Sequence, residues 1–392
     1  MEIVRANKYR LYPNATQKAM LHEMFGLFRF TFNNTLGKIK NSEFGTYIVK
    51  NGKNKGNTVP KIPSQTELIG LSTKLKDQYK FLTRLPNDLI QSSLTNLYSG
   101  VKSFYKGSGY PKFKSKKDYN QSFDMKAGSR VRIKDNYIQL NKSNCSAYSK
   151  SDYLIKFKKH KTNYDIDKIT GFSISKDNLS NYWITITHKI DINIKINPKN
   201  EIGIDLGIKD FAICSDGNVI KNHNLTKKYS RKLKLEQRKL SNKNKGSKNK
   251  NKQRLKVAKV HRKIKNQRND FNHKTSRMLI DIYSFIGLES LDIKNMIKNR
   301  RLSKAISNVV WSEFIAYLKY KSDENQVQIV QIDKYFPSSK TCSRCGSIKK
   351  DLTLQDRTYI CPECKFEIDR DLNASINILN ESLRISKQAR ME

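Results

Sequence analysis

A multidomain α+β fold, with a mixed α/β sheet in its C-terminal half, is expected from three features of this sequence. The chain has 392 residues, enough for two or three cores when domains commonly run about 100–200 residues. Stretches that alternate apolar and polar residues are interleaved with stretches of helical spacing, and neither kind dominates. Two Cys-x-x-Cys pairs, Cys342/Cys345 and Cys361/Cys364, mark a small metal-type module just ahead of the last helix.

Charge narrows the function. The 77 Lys and Arg against 35 Asp and Glu leave a net charge of +42, which would destabilise the fold by self-repulsion unless a polyanion neutralised it. Nucleic acid is the expected partner. The basic residues are spread over the whole length, and no apolar run approaches the roughly 20 residues a membrane-spanning helix needs. The opening "MEIVRANKYR" carries charges where a signal peptide needs an apolar core. Nothing suggests export, and a cytoplasmic protein is expected. Six cysteines, four of them in one cluster, fit cytosolic metal chemistry better than a disulfide framework.

The first element is a strand from Glu2 to Leu11, broken by Pro13, after which "NATQ" offers a capping box with Asn14 at the N-cap and Gln17 three residues on. Met20, Met24, Leu27, Phe28, Thr31, Phe32, Leu36 and Ile39 keep helical spacing up to a Gly-, Asn- and Lys-rich loop at 51–57. A second helix is expected after Pro86, with Ile90, Leu94, Leu97, Val101 and Phe104 as one stripe. Both stripes read as ordinary core. "GYPKFKSKKDYNQSF" interleaves Lys112, Lys114, Lys116 and Lys117 with Tyr110, Phe113 and Tyr119, a composition suited to phosphate contact plus stacking. A charged edge strand would look similar. From roughly 130 to 190 the chain favours β structure, with "NYWITITHKI" alternating cleanly, and a small barrel or sheet is expected.

Between Lys221 and Lys274 there are 21 Lys and Arg against only Glu236 and Asp270, with "SNKNKGSKNKNK" as a flexible break. This predicts a basic helical hairpin. Its second arm has an apolar seam at Val257, Val260, Ile264, Phe271, Met278 and Ile282, so one side is anchored and the other faces nucleic acid.

Three acids stand out. In "EIGIDLGIKDFAICSDGNVI" a strand puts Ile202, Ile204 and Leu206 on one face and Gly203, Asp205 and Gly207 on the other, the glycines leaving room for a phosphate beside an Asp-bound divalent ion. "SDGN" supplies the following hairpin turn. Glu289 ends the apolar strand "YSFIGLES", with Ile286 and Leu288 facing the other way, and an ionised carboxylate there needs a counter-ion. "DRDLNASINIL" starts a helix with Leu372, Ile376, Leu379 and Leu383 as its stripe and Asp371 in the lead-in turn, where Asp369 is the competing acid or a cap. Such a trio is what a two-metal phosphodiester hydrolase needs, with ions about 4 Å apart and no protein nucleophile. Mg²⁺ suits carboxylate, water and phosphate oxygens.

Cys342, Cys345, Cys361 and Cys364 give C-x₂-C-x₁₅-C-x₂-C, inside the range of a tetrahedral zinc site. Four thiolates leave no open position for water, so one structural Zn²⁺ is expected. Cys145 and Cys214 stand alone and read as packing residues.

"GIDLGIKDFA", "LESLDIKNM" and the cysteine ribbon running into "DRDLNASINIL" resemble the three RuvC motifs of the TnpB family, transposon-encoded relatives of type V CRISPR effectors. "RANKYRLYPNATQ", "FGLFRFTFNNTL" and "GYPKFKSKKDYNQSF" resemble its N-terminal half, so nearly the whole chain is covered. Ser290 is a mild departure, where relatives often carry acids or amides. The resemblance implies an RNA-guided DNA endonuclease of an insertion sequence. It would bind a guide RNA from the transposon end and cut double-stranded target DNA beside a short adjacent motif. The implied catalytic acids and Mg²⁺ ligands are Asp205, Glu289 and Asp371, the last because the family's acid lies two before its Asn, here Asn373. Two Mg²⁺ ions are implied, with Mn²⁺ as a substitute.

The implied architecture is an RNase H-like RuvC domain with an inserted Cys₄ ribbon, plus a wedge β-barrel interrupted by a helical recognition insert. Its bounds are 1–20 and 106–195 for the wedge, 21–105 for the insert, 196–337 and 367–392 for RuvC, and 338–366 for the ribbon. The basic hairpin occupies 221–274. One monomer per guide RNA is favoured, in a prokaryotic cytoplasm and on the nucleoid when bound to DNA. Two other readings compete: a guide-dependent DNA-binding regulator or transposition accessory protein without cleavage, and a transposase with a covalent tyrosine. The regulator would have lost acids, and all three are present. The tyrosine transposase would want a His-x-His metal pair, which His22, His160, His188, His223, His261 and His273 do not form.

Overall fold

The computed structural model describes residues 2–48, 56, 58–84, 86–118, 120–126, 132–143, 146–159, 168–191, 200–299, 303, 310–353 and 356–389. The chain divides into two compact units, Glu2–Asp191 and Ile192–Glu392. No helix among the described residues is long and apolar enough to cross a membrane.

In the first unit strand β1 (Glu2–Leu11) leads into helix α1 (Ala15–Lys40). The capping box forms as its residues require: Asn14 Oδ1 accepts from the Gln17 amide at 2.8 Å, and Gln17 Oε1 accepts from the Asn14 amide at 3.0 Å. Met20, Met24, Phe28, Thr31, Phe32, Leu36 and Ile39 are buried, and Leu27 packs against them half-buried. A short hairpin follows, β2 (Thr46–Ile48) with β3 (Thr58–Pro60).

The helix expected after Pro86 is α3 (Asn87–Tyr105), but Phe104 at its end is 40% exposed and outside the core. A helix that sequence reasoning missed precedes it, α2 (Gln65–Gln78). Its signal was present in a second capping box, Ser64 with Glu67, followed by Leu68 and Leu75. Then come β4 (Gln121–Lys126), β5 (Arg132–Lys134), β6 (Tyr137–Gln139), β7 (Leu154–Lys158), β8 (Ile169–Lys176) and β9 (Tyr182–Asp191). They form a seven-stranded antiparallel sheet in the order β4-β8-β9-β1-β7-β6-β5. No ladder joins its two end strands among the described residues. Helices and sheet share a single core, from Tyr9 and Phe28 through Leu94 to Phe123 and Ile184. Cys145, Tyr119 and His160 lie outside the described residues.

The second unit holds a five-stranded sheet. Its strands are β10 (Glu201–Leu206), β11 (Asp210–Cys214), β12 (Val219–Lys221), β13 (Phe285–Glu289) and β14 (Gln328–Ile332), in the order β12-β11-β10-β13-β14. The first three are antiparallel neighbours, whereas β10, β13 and β14 run parallel. Parallel pairs require crossovers. The β12-to-β13 connection is a helical hairpin, α4 (Leu225–Ser241) and α5 (Lys248–Ile282), and β13 to β14 passes through α6 (Ile293–Lys298) and α7 (Trp311–Asn325). The expected flexible break shrinks to 242–247, since Lys248 to Lys252 already belong to α5, started by Ser247 accepting from the Lys250 amide. The seam also drifts. Met278 and Ile282 are 45% and 40% exposed, and Leu279 and Ile280 are buried in their place. Thirty-five residues at 3.6 per turn outrun a straight heptad-like reading.

A hairpin of β15 (Thr358–Ile360) and β16 (Glu367–Asp369) leads into the last helix, α8 (Arg370–Gln388). This helix corrects two expectations at once. Its buried face is not the leucine stripe but Ala374, Ser375, Ile378, Ser382 and Ser386, with Leu372, Ile376, Leu379 and Leu383 only half-buried. The room at Gly203 is taken by the helix itself, at Ser375 and Leu379, not left for phosphate. A Cβ on Gly203 would lie 2.2 Å from the Ser375 carbonyl oxygen, and one on Gly287 would lie 2.5 Å from Ser382 Oγ. Glycine on two adjacent strands lets α8 lie directly on the sheet. Ile202, Ile204 and Leu206 are buried as expected, each worth about 1.5–3 kcal/mol.

Candidate active site

The parallel register of β10 and β13 sets Ile204 opposite Leu288. The next residues along, Asp205 and Glu289, therefore reach the same end of the sheet. α8 begins there too, and Asp371 joins Asp205 and Glu289 in lining one cleft of about 850 Å³. Asp369 is the N-cap, its Oδ1 accepting from the Asp371 and Leu372 amides, both at 3.0 Å, and its charge also reaches Asp205.

These acids strain one another. Burial, then the charges of Glu289 and Asp371, push Asp205 up to about 7, with Arg370 opposing. Burial also raises Glu289. Asp371 is held by arginine, its Oδ1 accepting from Arg370 Nε at 3.0 Å and Nη2 at 2.7 Å, while Arg357 Nη1 stands 3.7 Å from Oδ2. A buried carboxylate resisting ionisation beside two others is a deficit of positive charge. Hard oxygen donors in that state fit divalent cations such as Mg²⁺.

The thiols are assembled more tightly. The four Sγ atoms lie within 4.8 Å of one another, and among the described residues no other His, Cys, Asp and Glu group of three or more does so. Cys342 Sγ is 3.7 Å from that of Cys364, and Cys345 Sγ is 3.5 Å from that of Cys361. Gly346, with φ +78°, turns the first knuckle. Soft sulfur in a closed set of four fits Zn²⁺ and leaves no open position. Cys214 is simply buried in the sheet core.

Why thiols precede the acids is answered by two asparagines. Asn373, fully buried, donates to the Thr341 carbonyl at 2.7 Å and accepts from the Ser343 amide at 3.0 Å. Asn377 donates to the carbonyls of Ser338 and Thr341 at 2.8 and 2.6 Å. The Arg370 amide donates to the Arg357 carbonyl at 2.8 Å. The first cysteine knuckle is thus bonded to the helix that carries Asp371. Sequence reasoning did not single out Asn377, Arg357 or Arg370. The Arg between two Asp in "DRD" was the available signal.

Of the four lysines expected to meet nucleic acid, Lys112, Lys116 and Lys117 are exposed. Lys114 differs. Its ammonium lies 4.8 Å from the Phe28 ring centre and 4.4 Å from that of Phe32, and the Asn33 side chain bonds both its backbone groups. Burial lowers its pKa. In the hairpin, Lys232, Lys256, Lys259 and Lys263 line a groove of about 400 Å³ together with Tyr229, Glu236 and Val260.

Sequence comparison finds a family described as "Probable transposase" over residues 186–300, one described as "Cas12f1-like, TNB domain" over 311–378, and one described as "Helix-turn-helix domain" over 1–42. In the last stretch the described residues form one strand and one 26-residue helix. A Streptomyces pristinaespiralis protein named "Putative RNA-guided DNA endonuclease" is 30% identical over 386 residues, 98% of this chain and 91% of that one. The Escherichia coli K12 protein of the same description, InsQ, is 26% identical over 97% of this chain and 92% of its own. Among solved structures, the chain in "Cryo-EM structure of the Cas12f1-sgRNA-target DNA complex" matches with a TM-score of 0.53 at 14% identity, covering 97% of this chain and 99% of that one.

Proposed function

The chain belongs to the TnpB family, and we propose that it is an RNA-guided DNA endonuclease whose active centre is Asp205, Glu289 and Asp371. The observation that carries the assignment is the convergence of these three acids, from two parallel strands and one helix, on a single cleft. The five-stranded order with its parallel β10-β13-β14 edge supports reading this unit as RNase H-like, the RuvC type. The antiparallel sheet of the other unit supports the wedge reading, with α1 to α3 as the helical recognition part.

Divalent cations bound by the three acids would activate water and stabilise the leaving oxygen of a phosphodiester. The protein's own contribution is separable. Asp205, fixed on a strand with helix α8 packed against its neighbour Gly203, presents a carboxylate whose ionisation awaits positive charge. Arg357 and Arg370 line the same cleft and neutralise Asp371. A DNA phosphate entering the cleft would offer both guanidiniums an alternative anion, which would leave the Asp371 carboxylate available as a ligand. Cys342, Cys345, Cys361 and Cys364 would hold one structural Zn²⁺, keeping the ribbon, with Arg357 on it, at the cleft edge. Lys112, Lys116 and Lys117 supply phosphate contacts without sequence preference, and base pairing with the guide would supply sequence.

The test uses the full chain purified with whatever RNA accompanies it. Sequencing that RNA should identify one transposon-end species, and a duplex matched to its variable end should be cut only with divalent metal. A preparation free of RNA and fully active on duplex DNA would overturn the guided reading.

A further inference from the structure

We propose that Tyr335 is a stacking platform for an unpaired base of the DNA strand lying in the acid cleft, with Lys334 beside it to meet the adjoining phosphate, a role that rests on the nuclease reading of that cleft. Tyr335 is 80% exposed, more than any other large hydrophobic side chain among the described residues. Lone surface aromatics are common and need no explanation. This one lines the cleft that holds Asp205, Glu289 and Asp371, as does Lys334.

Its backbone is fixed. The Tyr335 amide donates to Asp333 Oδ1 at 2.7 Å, and the Phe336 amide donates to the Asp333 carbonyl at 3.2 Å. That turn leaves the end of β14, where Ile332 pairs with Glu289, so the ring is carried on the strand next to a catalytic acid. The Lys334 ammonium lies 4.7 Å from the ring centre and 3.8 Å from Asp292 Oδ2. One ammonium covers one face of a ring, which leaves the other for a base.

An exposed ring on a fixed backbone next to a cation is how sequence-tolerant single-strand sites are built, since every base has a π-face. Tolerance is what a cutting site needs when sequence is read elsewhere. The bases of a duplex are already stacked on one another, so the ligand is a strand that has been separated.

A twelve-nucleotide single-stranded DNA carrying one 2-aminopurine, titrated into the full chain with calcium in place of magnesium, reads stacking as fluorescence quenching. Wild type and Tyr335→Phe should quench alike, whereas Tyr335→Ala should lose the quench and bind about tenfold more weakly. Replacing the probed base by an abasic nucleotide should cost wild type the same factor and Tyr335→Ala almost nothing. Unchanged quenching and affinity in Tyr335→Ala would overturn the proposal, and so would a Tyr335-dependent quench with the RNA version of the probe and none with DNA. Asp205→Ala separates the two readings. It should keep the quench and lose cleavage. Cleavage retained there would sink the acid assignment while leaving the platform intact.

Discussion

The two metal-type centres of the second unit are built in opposite ways. The thiols are gathered by the fold itself, four sulfurs within 4.8 Å, on knuckles whose amides and carbonyls are bonded. The acids share a cleft without closing on one another, with Asp371 engaged by Arg370 and Asp205 held near neutrality by burial and its neighbours. One site is complete when a single soft ion arrives. The other is left short of positive charge, which a cation from outside would supply. The contrast teaches where stability and function can part: perturbed carboxylates gathered in a cleft are a cost to the fold and mark a candidate site.

The largest expected effect tests the self-completing site. Cys361→Ser should unfold the ribbon locally, because structural Zn²⁺ commonly contributes on the order of 10 kcal/mol to its own small module. Metal analysis should find about one zinc per native chain and much less in the variant. Hydrogen exchange should rise in 338–366 and, through Asn373 and Asn377, at the start of α8, while the first unit stays protected. Native protein that contains no zinc and is fully active when magnesium alone is supplied would remove the structural-zinc assignment.

Next comes the incomplete site. Asp205→Ala should form the guide and target complex near normally and lose at least about a thousandfold in cleavage, roughly 4 kcal/mol of transition-state stabilisation. Cleavage close to the parental rate would break the assignment at its first acid. Asp205 also predicts a pH signature. Its folded pKa of about 7 lies above the ordinary 3.8, so between these values the folded chain holds a proton the unfolded chain gives up. Stability from this group is therefore full below about pH 4, falls as pH rises to about 7, and is flat above, with a total of at most about 4 kcal/mol. Asp205→Asn should flatten that slope in metal-free protein, and Mg²⁺ should raise the melting temperature of wild type but not of Asp205→Asn.

How much of this was legible follows the same divide. Elements with a strong local pattern could be read from sequence: the Asn14–Gln17 box and the cysteine knuckles, whose bonds are local, and β1 and the strands bearing Asp205 and Glu289, whose alternation is plain although their ladders run to distant strands. What escaped depends on contacts between distant segments. α2 carried an equally clear cap, Ser64 with Glu67, but only three buried positions in 14 residues, too weak a stripe to notice. The face of α8 was misread because its small residues are chosen by Gly203 and Gly287, well over a hundred and nearly a hundred residues away, and the leucine stripe is the stronger local pattern. Gly203→Ala sharpens this point. The new methyl would meet backbone atoms of Ser375 and Leu379 at 2.2 and 2.6 Å, so α8 must shift. About 3 kcal/mol of destabilisation is expected from such overpacking, read by denaturant midpoint, and an unchanged midpoint would mean that α8 does not lie on β10.

The smallest expected effect carries the comparison into the first unit, where lysines divide as the two centres do. Lys114 is already satisfied. Its side chain is half-buried, its ammonium lies over Phe28 and Phe32, and Asn33 holds its backbone. Lys116 and Lys117 have exposed side chains beside it in sequence. Lys114→Ala should therefore cost about 1 kcal/mol of stability through lost packing and cation–π attraction, with little change in how RNA affinity depends on salt. Lys116→Ala and Lys117→Ala should leave stability within about 0.5 kcal/mol and each lower the salt slope of binding by about 1, the loss of one phosphate contact. Measuring melting and RNA affinity at several salt concentrations on all three variants separates the cases. If Lys114→Ala lowers the slope as its neighbours do, its ammonium leaves the aromatic faces for phosphate, and the satisfied lysine belongs with the incomplete ones.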